Sequence, residues 1–461
     1  MQRSRYVEGD VTLRVVEGVA GSVGGWGHRQ ERGKHEHRIL QRSASIALLC
    51  GPLFLGCTRQ PPVVVVVGGG VAGISVAIEA AGSGRVILVD SEGHLGGSAW
   101  WGQAVTALPD AAMWPGAHPA REHYRGRVGA DVIAWSQALG VQWVSVPAKS
   151  SESPPLTAPV GGGRRLADAL WRTADLSGVE IHLDTRVTAI DADLTVHAGT
   201  ETWRADAVVL AAGGWAADLA GVRRRLSLPD APLLGGGFPG ADGTGIAMGT
   251  ALGGAEVMPA RAVLYGHGTP DPANPERALV VLGTERMLAI DTKGNPQPQL
   301  RDSRGATGED LLAMPGGQAW GILDGPTLTT LQLQGSGVDR RLLAKDAAAA
   351  VAADLTGLAA AIDVPAAVLQ AGIPPLLPTG PYGALELIPM AAKSLTGLSV
   401  DGEGRVLDAA GAPVVGLYAA GELAGFGGLY DDGVLLDSTM VAGAILSGRS
   451  TGAAVAADLA R

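Results

Sequence analysis

The sequence predicts an α/β fold built around a parallel sheet, and three observations predict it. Val63 to Val67 is a run of five valines, apolar on both faces as a strand inside a parallel sheet must be. The run enters Gly68-Gly69-Gly70-Val71-Ala72-Gly73, and a helical stretch follows to Gly82 with Ile74, Ala77, Ile78 and Ala81 on one stripe. A second buried strand, Arg85 to Val89, ends at Asp90. Strand, glycine-rich turn, helix, strand and acid in this order form the fingerprint of a dinucleotide-binding βαβ unit.

Each element has a physical reason. Gly68 makes the tight turn out of the strand. Gly70 lets the backbone approach a pyrophosphate, and Gly73 lets helix and strand pack closely. Val71 and Ala72 open the helix, whose N-terminal N–H groups face the phosphates. Asp90, 17 residues beyond Gly73 with Ser91 beside it, stands where an acid binds a ribose hydroxyl.

Composition narrows the function. Of 461 residues, 46% are hydrophobic and 17% charged, which is the balance of a globular chain with a large core. The formal net charge is -10 and the body carries no basic stripe, so nucleic acid is a poor partner. The two cysteines are Cys50 and Cys57, so the chain beyond them can hold no disulfide, thiolate zinc site or iron–sulfur cluster, and no metal site is expected. Electrons, if any move, go to or come from an external donor or acceptor.

Residues 1–57 read as a leader. Basic residues cluster from Arg29 to Arg42, then a short apolar run, Ser43 to Gly56, ends in Leu55-Gly56-Cys57. The basic flank, short apolar core and small residue describe a secretory signal. The run is shorter than the ~20 residues a membrane span needs. Its ending resembles a bacterial lipobox, which implies a lipid anchor on Cys57 and a cell-envelope location facing the periplasm or the outside. The alternative is a disordered leader on a cytoplasmic protein.

Further motifs identify the cofactor by resemblance. They are Gly96-Gly97-Ser98-Ala99, the stretch Gly161 to Ile190, Ala207 to Gly214, Ala241-Asp242-Gly243-Thr244-Gly245, and Gly416 to Glu422. Dispersed in this order over roughly residues 63–461, they resemble the fumarate reductase/succinate dehydrogenase flavoprotein superfamily. The resemblance implies FAD and a Rossmann-like FAD-binding domain interrupted by a smaller α+β capping domain. The expected boundaries are 58–235 for the first part of the FAD domain, 236–378 for the cap and 379–461 for the second part. It adds Gly97, Ser98, Val187, Ala212, Gly213, Asp242, Gly421, Glu422, Leu435 and Leu436 to the cofactor contacts. Within the cap, glycine- and proline-rich loops are expected near 266–275 and 293–318, with paired helices from Leu355 to Leu369. His94 lies before Ser98, on the wrong side for the family's covalent flavin link, so the FAD is expected to be non-covalent.

The substrate side departs from that family. Arg304 falls at the family's proton-transfer arginine, without gaps if Arg304 rather than Arg301 is that residue. His267 falls at a substrate histidine. Lys393 replaces another, and Tyr430-Asp431-Asp432 stands where an arginine clamps a carboxylate. Two acids there would repel a dicarboxylate. This end resembles 3-ketosteroid dehydrogenases, which implies that Tyr430 helps in proton abstraction or carbonyl polarisation; packing at the flavin edge is the other reading. The expected activity is hydride exchange between flavin and a small organic substrate at a CH–CH bond, not fumarate. A flavin-holding envelope protein without turnover, and a flavin-dependent isomerase or hydratase, are the alternatives.

Overall fold

The computed structural model describes residues 60–101, 105–106, 130–146, 156–301, 307–335, 340–372, 377–427, 429–431, 434–436 and 440–461. Contacts group Arg59–Arg461 into one compact unit. The elements that position the site are, in chain order, β1 (Val63–Val67), α1 (Val71–Ala80), β2 (Arg85–Val89), α2 (Gly162–Leu176), β3 (Glu180–His182), β4 (Ala207–Leu210), α3 (Thr244–Ala251), β5 (Ala262–Asp271), β6 (Asn274–Val281), β7 (Tyr382–Ser394), β8 (Pro413–Ala419), β9 (Leu429–Asp431), β10 (Val434–Leu436) and α4 (Met440–Leu459).

The first sheet runs β8-β4-β1-β2-β3, with Arg405–Leu407 antiparallel on the edge beside β8. β1 lies between β2 and β4, parallel to both, with Val65 opposite Ile87 on one side and Val208 on the other. Val64, Val65 and Val66 are fully buried. Each valine withdrawn from water contributes about 1.5–3 kcal/mol, so a central strand of valines anchors the sheet.

Helix α1 ends at Ala80, two residues before the expected Gly82, and its burial is wider than one stripe. The reason is α4, which covers the side away from the sheet. A Cβ on Gly448 would sit 2.3 Å from the Ala72 carbonyl, and one on Gly452 2.5 Å from that of Val76. Two glycines one helical turn apart thus let the two backbones touch.

The cap sheet is built around β7. Its order is Leu288–Asp291, Ala319–Leu323, β7, Leu234–Gly235, β6, Gln332–Gly335, Arg341–Leu343, and β5 pairs with both β6 and β7. Separate apolar clusters fill it. One gathers Leu279, Val281, Leu333 and Leu385; another lies under two short helices, Leu355–Ala361 and Ala366–Ala371.

The stretch 266–275 is not the loop its glycines and prolines suggested. Residues 262–271 form β5 and 274–281 form β6, and only Pro272 and Ala273 turn between them. A Cβ on Gly268 would meet the Ile388 carbonyl and Met390 Cβ at 3.0 Å, so this glycine serves close strand pairing. Among the described residues of 293–318 there are short helical turns at Pro298–Arg301 and Pro315–Gly317 and a helix at Gly308–Leu312.

Candidate functional site: a dinucleotide cavity

A cavity opens at the carboxyl ends of β1, β2 and β4, the edge where open α/β sheets bind ligands. The three glycines of the first turn are used in three ways. Gly68 has φ +108° and a Cβ there would lie 2.4 Å from the Ala211 carbonyl, so the turn presses against the end of β4. A Cβ on Gly73 would lie 1.9 Å from the Gly68 carbonyl, where helix and turn meet. Gly70 differs from both. Its φ of -63° and ψ of 169° suit any residue, and a Cβ there would meet no protein atom within 4 Å. Nothing among the described residues demands a glycine at 70, and its bare backbone is open to a ligand on the cavity side.

The rest of the lining fits the same ligand. The first helical hydrogen bond of α1 is Ile74 N–H to the Gly70 carbonyl at 3.0 Å, and no side chain caps the helix. The earlier N–H groups are therefore left for an anion. Gly96 donates to the Gly69 carbonyl at 2.7 Å and Gly97 packs on Gly70, which brings Gly97 and Ser98 to the wall. Val71, Ala72, Asp90, Ser91, Val187, Ala212, Gly213, Gly421 and Glu422 also line it. Gly73 sits behind the turn. These surfaces suit a diphosphate joined to two ring systems, and FAD is such a molecule.

Asp90 serves the fold as well as the cavity. Its carboxylate accepts from the N–H of Gly69 and from the N–H of Glu92, the latter at 2.7 Å. Burial pushes the carboxyl above the usual aspartate range, against the pull of those two bonds. Asp242 stands just outside the lining. It accepts from Thr244 N–H at 3.0 Å, from the Thr244 hydroxyl at 2.6 Å and from Arg186 at 3.1 Å. Burial pushes its carboxyl up, but those bonds outweigh it and hold the group below its ordinary value.

Glu422 is the most constrained carboxyl. One oxygen, Oε1, accepts from the Ser394 N–H at 2.8 Å and from the Ser394 hydroxyl at 2.9 Å. The Ser394 oxygen in turn accepts from Trp215 N–H at 3.3 Å, and the Trp215 indole donates to the Thr396 carbonyl at 2.8 Å. Burial pushes Glu422 up, opposed by the Ser394 bonds and the charge of Lys393.

Glu92, Phe238 and Met248, which stand outside the sequence motifs, line the cavity too, as do Thr185, Arg186 and Thr244 from within them. Thr185 and Arg186 follow the β3 strand, and Phe238 lies in the Gly236–Gly240 connector. His94 is elsewhere. It stacks on Trp100 with centroids 4.0 Å apart, and the Arg164 guanidinium covers the same indole at 4.5 Å. Trp100 therefore packs the short helical turn Gly97–Trp101 onto α2 and stands outside the lining.

On the cap side, β5 and β7 are neighbours. Lys393 is partly buried and lies opposite Val263, next to a bulge at Ala392 where two residues of β7 face one of β5. Bulges re-aim side chains near sites. His267 is 7% exposed on β5, with its ring 5.0 Å from that of Tyr265. Tyr265 also bridges Thr307 through the backbone, and Thr307 caps the Gly308–Leu312 helix. Arg304 lies outside the described residues, as does Cys57. Tyr430 is on β9, and Leu435 and Leu436 are on β10 in the paired register Tyr430↔Leu435 and Leu429↔Leu436. Among the described residues no group of His, Cys, Asp and Glu could hold a metal ion.

Known proteins are similar to this chain in sequence and fold. The FAD binding domain family model matches residues 150–433, and the pyridine nucleotide-disulphide oxidoreductase model matches residues 62–225. No cysteine lies in either stretch. A KsdD-like steroid dehydrogenase of Mycobacterium tuberculosis is 46% identical over 81 residues, 17% of this chain and 14% of that protein's length. A fumarate reductase (cytochrome) of Shewanella frigidimarina is 24% identical over 421 residues, covering 78% of this chain and 72% of its own. The structure of 3-ketosteroid Δ1-dehydrogenase from Sterolibacterium denitrificans superposes with a TM-score of 0.65 at 16% identity, covering 86% of this chain and 99% of that one.

Proposed function

The chain belongs to the FAD binding domain family, and from that membership we propose that it is an FAD-dependent oxidoreductase acting at a CH–CH bond of an organic substrate other than a dicarboxylate. The observation that carries the reading is the dinucleotide cavity whose Gly70 wall is open, and whose Glu422 is bonded to Ser394, the residue after Lys393 at the end of β7.

Bound FAD supplies a two-electron hydride acceptor or donor. The residues have two other tasks. Gly70, Gly97 and the start of α1 hold the cofactor's diphosphate against the backbone. A side chain must move the proton on the carbon next to the one that exchanges hydride, and His267, Lys393, Arg304 and Tyr430 are the candidates. Lys393 offers a flexible point charge without the planar fork of an arginine. With Asp431 and Asp432 at the other clamp position, the site favours a substrate without two carboxylates. A ring ketone fits that description, and two of the similar proteins are named as steroid dehydrogenases.

The test is anaerobic. Purified protein should be yellow, acid should release its FAD into the supernatant, and a 3-ketosteroid or simpler cyclic ketone should bleach it. Succinate should not, and fumarate should not reoxidise the reduced protein above free flavin. Fumarate turnover would overturn the substrate class, and colour retained in the acid pellet would overturn non-covalent binding. Lipid attachment at Cys57 is part of the same proposal, since an external electron partner in the envelope would suit an anchored enzyme. Cys57→Ser should release the protein from membranes; a soluble wild type with an unacylated N-terminus contradicts the anchor.

A further inference from the structure

Four segments meet around one carboxyl at the cavity wall. Glu422 follows β8, Ser394 ends β7, Gly214 lies beyond β4 and Gly427 lies beyond Glu422. Glu422 Oε1 accepts from the N–H of Ser394 at 2.8 Å and from its hydroxyl at 2.9 Å. Trp215 N–H takes an acceptor site on the Ser394 oxygen at 3.3 Å, and the single hydroxyl proton is given to Glu422. Ser394 is fully buried and does not line the cavity, whereas Glu422 does. Backbone contacts set the pair in place. Leu398 N–H donates to the Leu423 carbonyl at 2.8 Å, and a Cβ on Gly397 would lie 1.9 Å from that carbonyl. A Cβ on Gly427 would lie 1.8 Å from the Ser394 carbonyl. The turn after β7 and the turn after β8 therefore touch backbone to backbone. Gly214 closes a further side, since a Cβ there would lie 1.8 Å from Ser394 Oγ and 2.3 Å from Glu422 Oε1.

We propose that Ser394 is a positioning residue for the cofactor: it holds the Glu422 carboxyl in place at the cavity wall before FAD arrives, and so sets FAD affinity without lining the cavity. This role presupposes FAD as the ligand. Packing alone does not call for the pair, because two apolar side chains of the same shape would fill the space without the desolvation that a serine and a carboxyl undergo. What the two bonds secure is one fixed place for a side chain with several rotatable bonds. A ligand that meets such a side chain already ordered does not bear the cost of ordering it. Ser394 acts only through Glu422, which is the residue that meets the ligand. Lys393 precedes Ser394 on β7, so the same bonds tie the cofactor wall to a strand that carries a substrate-side candidate.

The experiment titrates apoprotein with FAD by flavin fluorescence, for wild type, Ser394→Ala, Glu422→Ala and the double variant, with a thermal melt of each apoprotein. Ordering one long side chain on binding corresponds to about two- to tenfold in affinity. Ser394→Ala should weaken FAD binding by about that factor while Glu422 is present, and by less than about twofold once residue 422 is alanine. An equal loss in both backgrounds would mean that the serine acts through the fold and not through Glu422. Ser394→Ala binding within about twofold of wild type would mean that it positions nothing. Either result ends the proposal. Gly214→Ala reads the same point if Ser394→Ala does not fold. Gly214 is not in the left-handed region, and the new methyl would first meet the ends of the Ser394 and Glu422 side chains, parting them while both polar groups remain. It should weaken FAD binding by about twofold or more, and an unchanged affinity would refute the role of the pair. A wild type that binds no FAD would overturn the cofactor reading and this role together, whereas wild-type binding matched by the variants defeats this role alone.

Discussion

The two halves of the site recognise their ligands by different means. The cofactor half uses backbone: glycines at 68, 70, 73 and 97, the N-terminus of α1, and strand ends that the parallel sheet lines up. The proposed substrate half would use side chains instead, with His267 on β5 and Lys393 on β7, which stand more than a hundred residues apart in the chain and on paired strands. Backbone recognition depends on short spacings and tolerates little change. Side-chain recognition leaves the frame alone while the residues on it are exchanged, and a single frame can thus carry proteins named for fumarate and for steroids.

The largest expected effect tests the backbone half. Gly70→Val should remove FAD binding altogether while the apoprotein folds and melts like wild type, because a Cβ at 70 meets only the cavity. Gly73→Val is the contrast. Its Cβ would lie 1.9 Å from the Gly68 carbonyl, so the fold itself should suffer, with overpacking costing about 1–3 kcal/mol or more. Circular dichroism, thermal melting and flavin absorbance on both variants separate the two. If Gly70→Val melts like Gly73→Val, glycine 70 serves the fold and the comparison breaks.

The next effect belongs to the side-chain half. Arg304→Lys, assayed with whichever ketone bleaches the flavin, should keep FAD affinity and lower turnover by about 10² or more, the range for losing a positioned proton-transfer group. Lys393→Met should leave the flavin spectrum intact and move turnover or KM. A loss of FAD from either variant would show that the two halves are not separable. A turnover unchanged in Arg304→Ala would remove Arg304 from the reaction.

What the sequence reveals follows the same division. The βαβ unit was readable because each of its signals is local: a valine run, a glycine turn, an acid at a fixed distance. Pairing across long separations was not. Gly448 and Gly452 look like helix-weakening residues until α1, some 370 residues earlier, is seen against them. Gly266, Gly268 and Pro270 read as a loop because their strand partner, β7, comes about 120 residues later. Glu422 could be read as a cofactor contact but not as a constrained acid, since Ser394 and Trp215 reach it from other elements. Arg186 and Asp242, 56 residues apart, gave no sign of meeting.

Asp90→Ala sits between the two regimes and should cost an intermediate amount. Its carboxylate holds the N–H groups of Gly69 and Glu92 as well as facing the cavity, so both the turn and a ribose contact are lost. A hydrogen bond to a charged or buried group contributes on the order of 1.5–3 kcal/mol, or about one to two orders of magnitude in FAD affinity. Equilibrium titration would register it, and a change under threefold would mean that the acid does not touch the ligand.

The smallest effect expected is at the rim, and it tests how far the backbone half really dispenses with charge. Among the described residues Arg186 is the one cationic residue that lines the cavity, and its side chain is 54% exposed. Its partner Asp242 is itself held by Thr244 N–H and hydroxyl, so the aspartate stays fixed when the arginine is removed. An exposed pair of this kind contributes about 0–1 kcal/mol and is screened by salt. Arg186→Ala should therefore weaken FAD binding by no more than about fivefold at 0.15 M salt, with the difference shrinking as salt rises. Asp242→Asn should do as little, and the double variant should show a coupling of the same small size. If Arg186→Ala instead costs a hundredfold, the guanidinium leaves Asp242 to grip the diphosphate when FAD arrives. The cofactor would then be held by a side chain as much as by the helix N-terminus and Gly70, and the line between the two halves of the site would have to be redrawn.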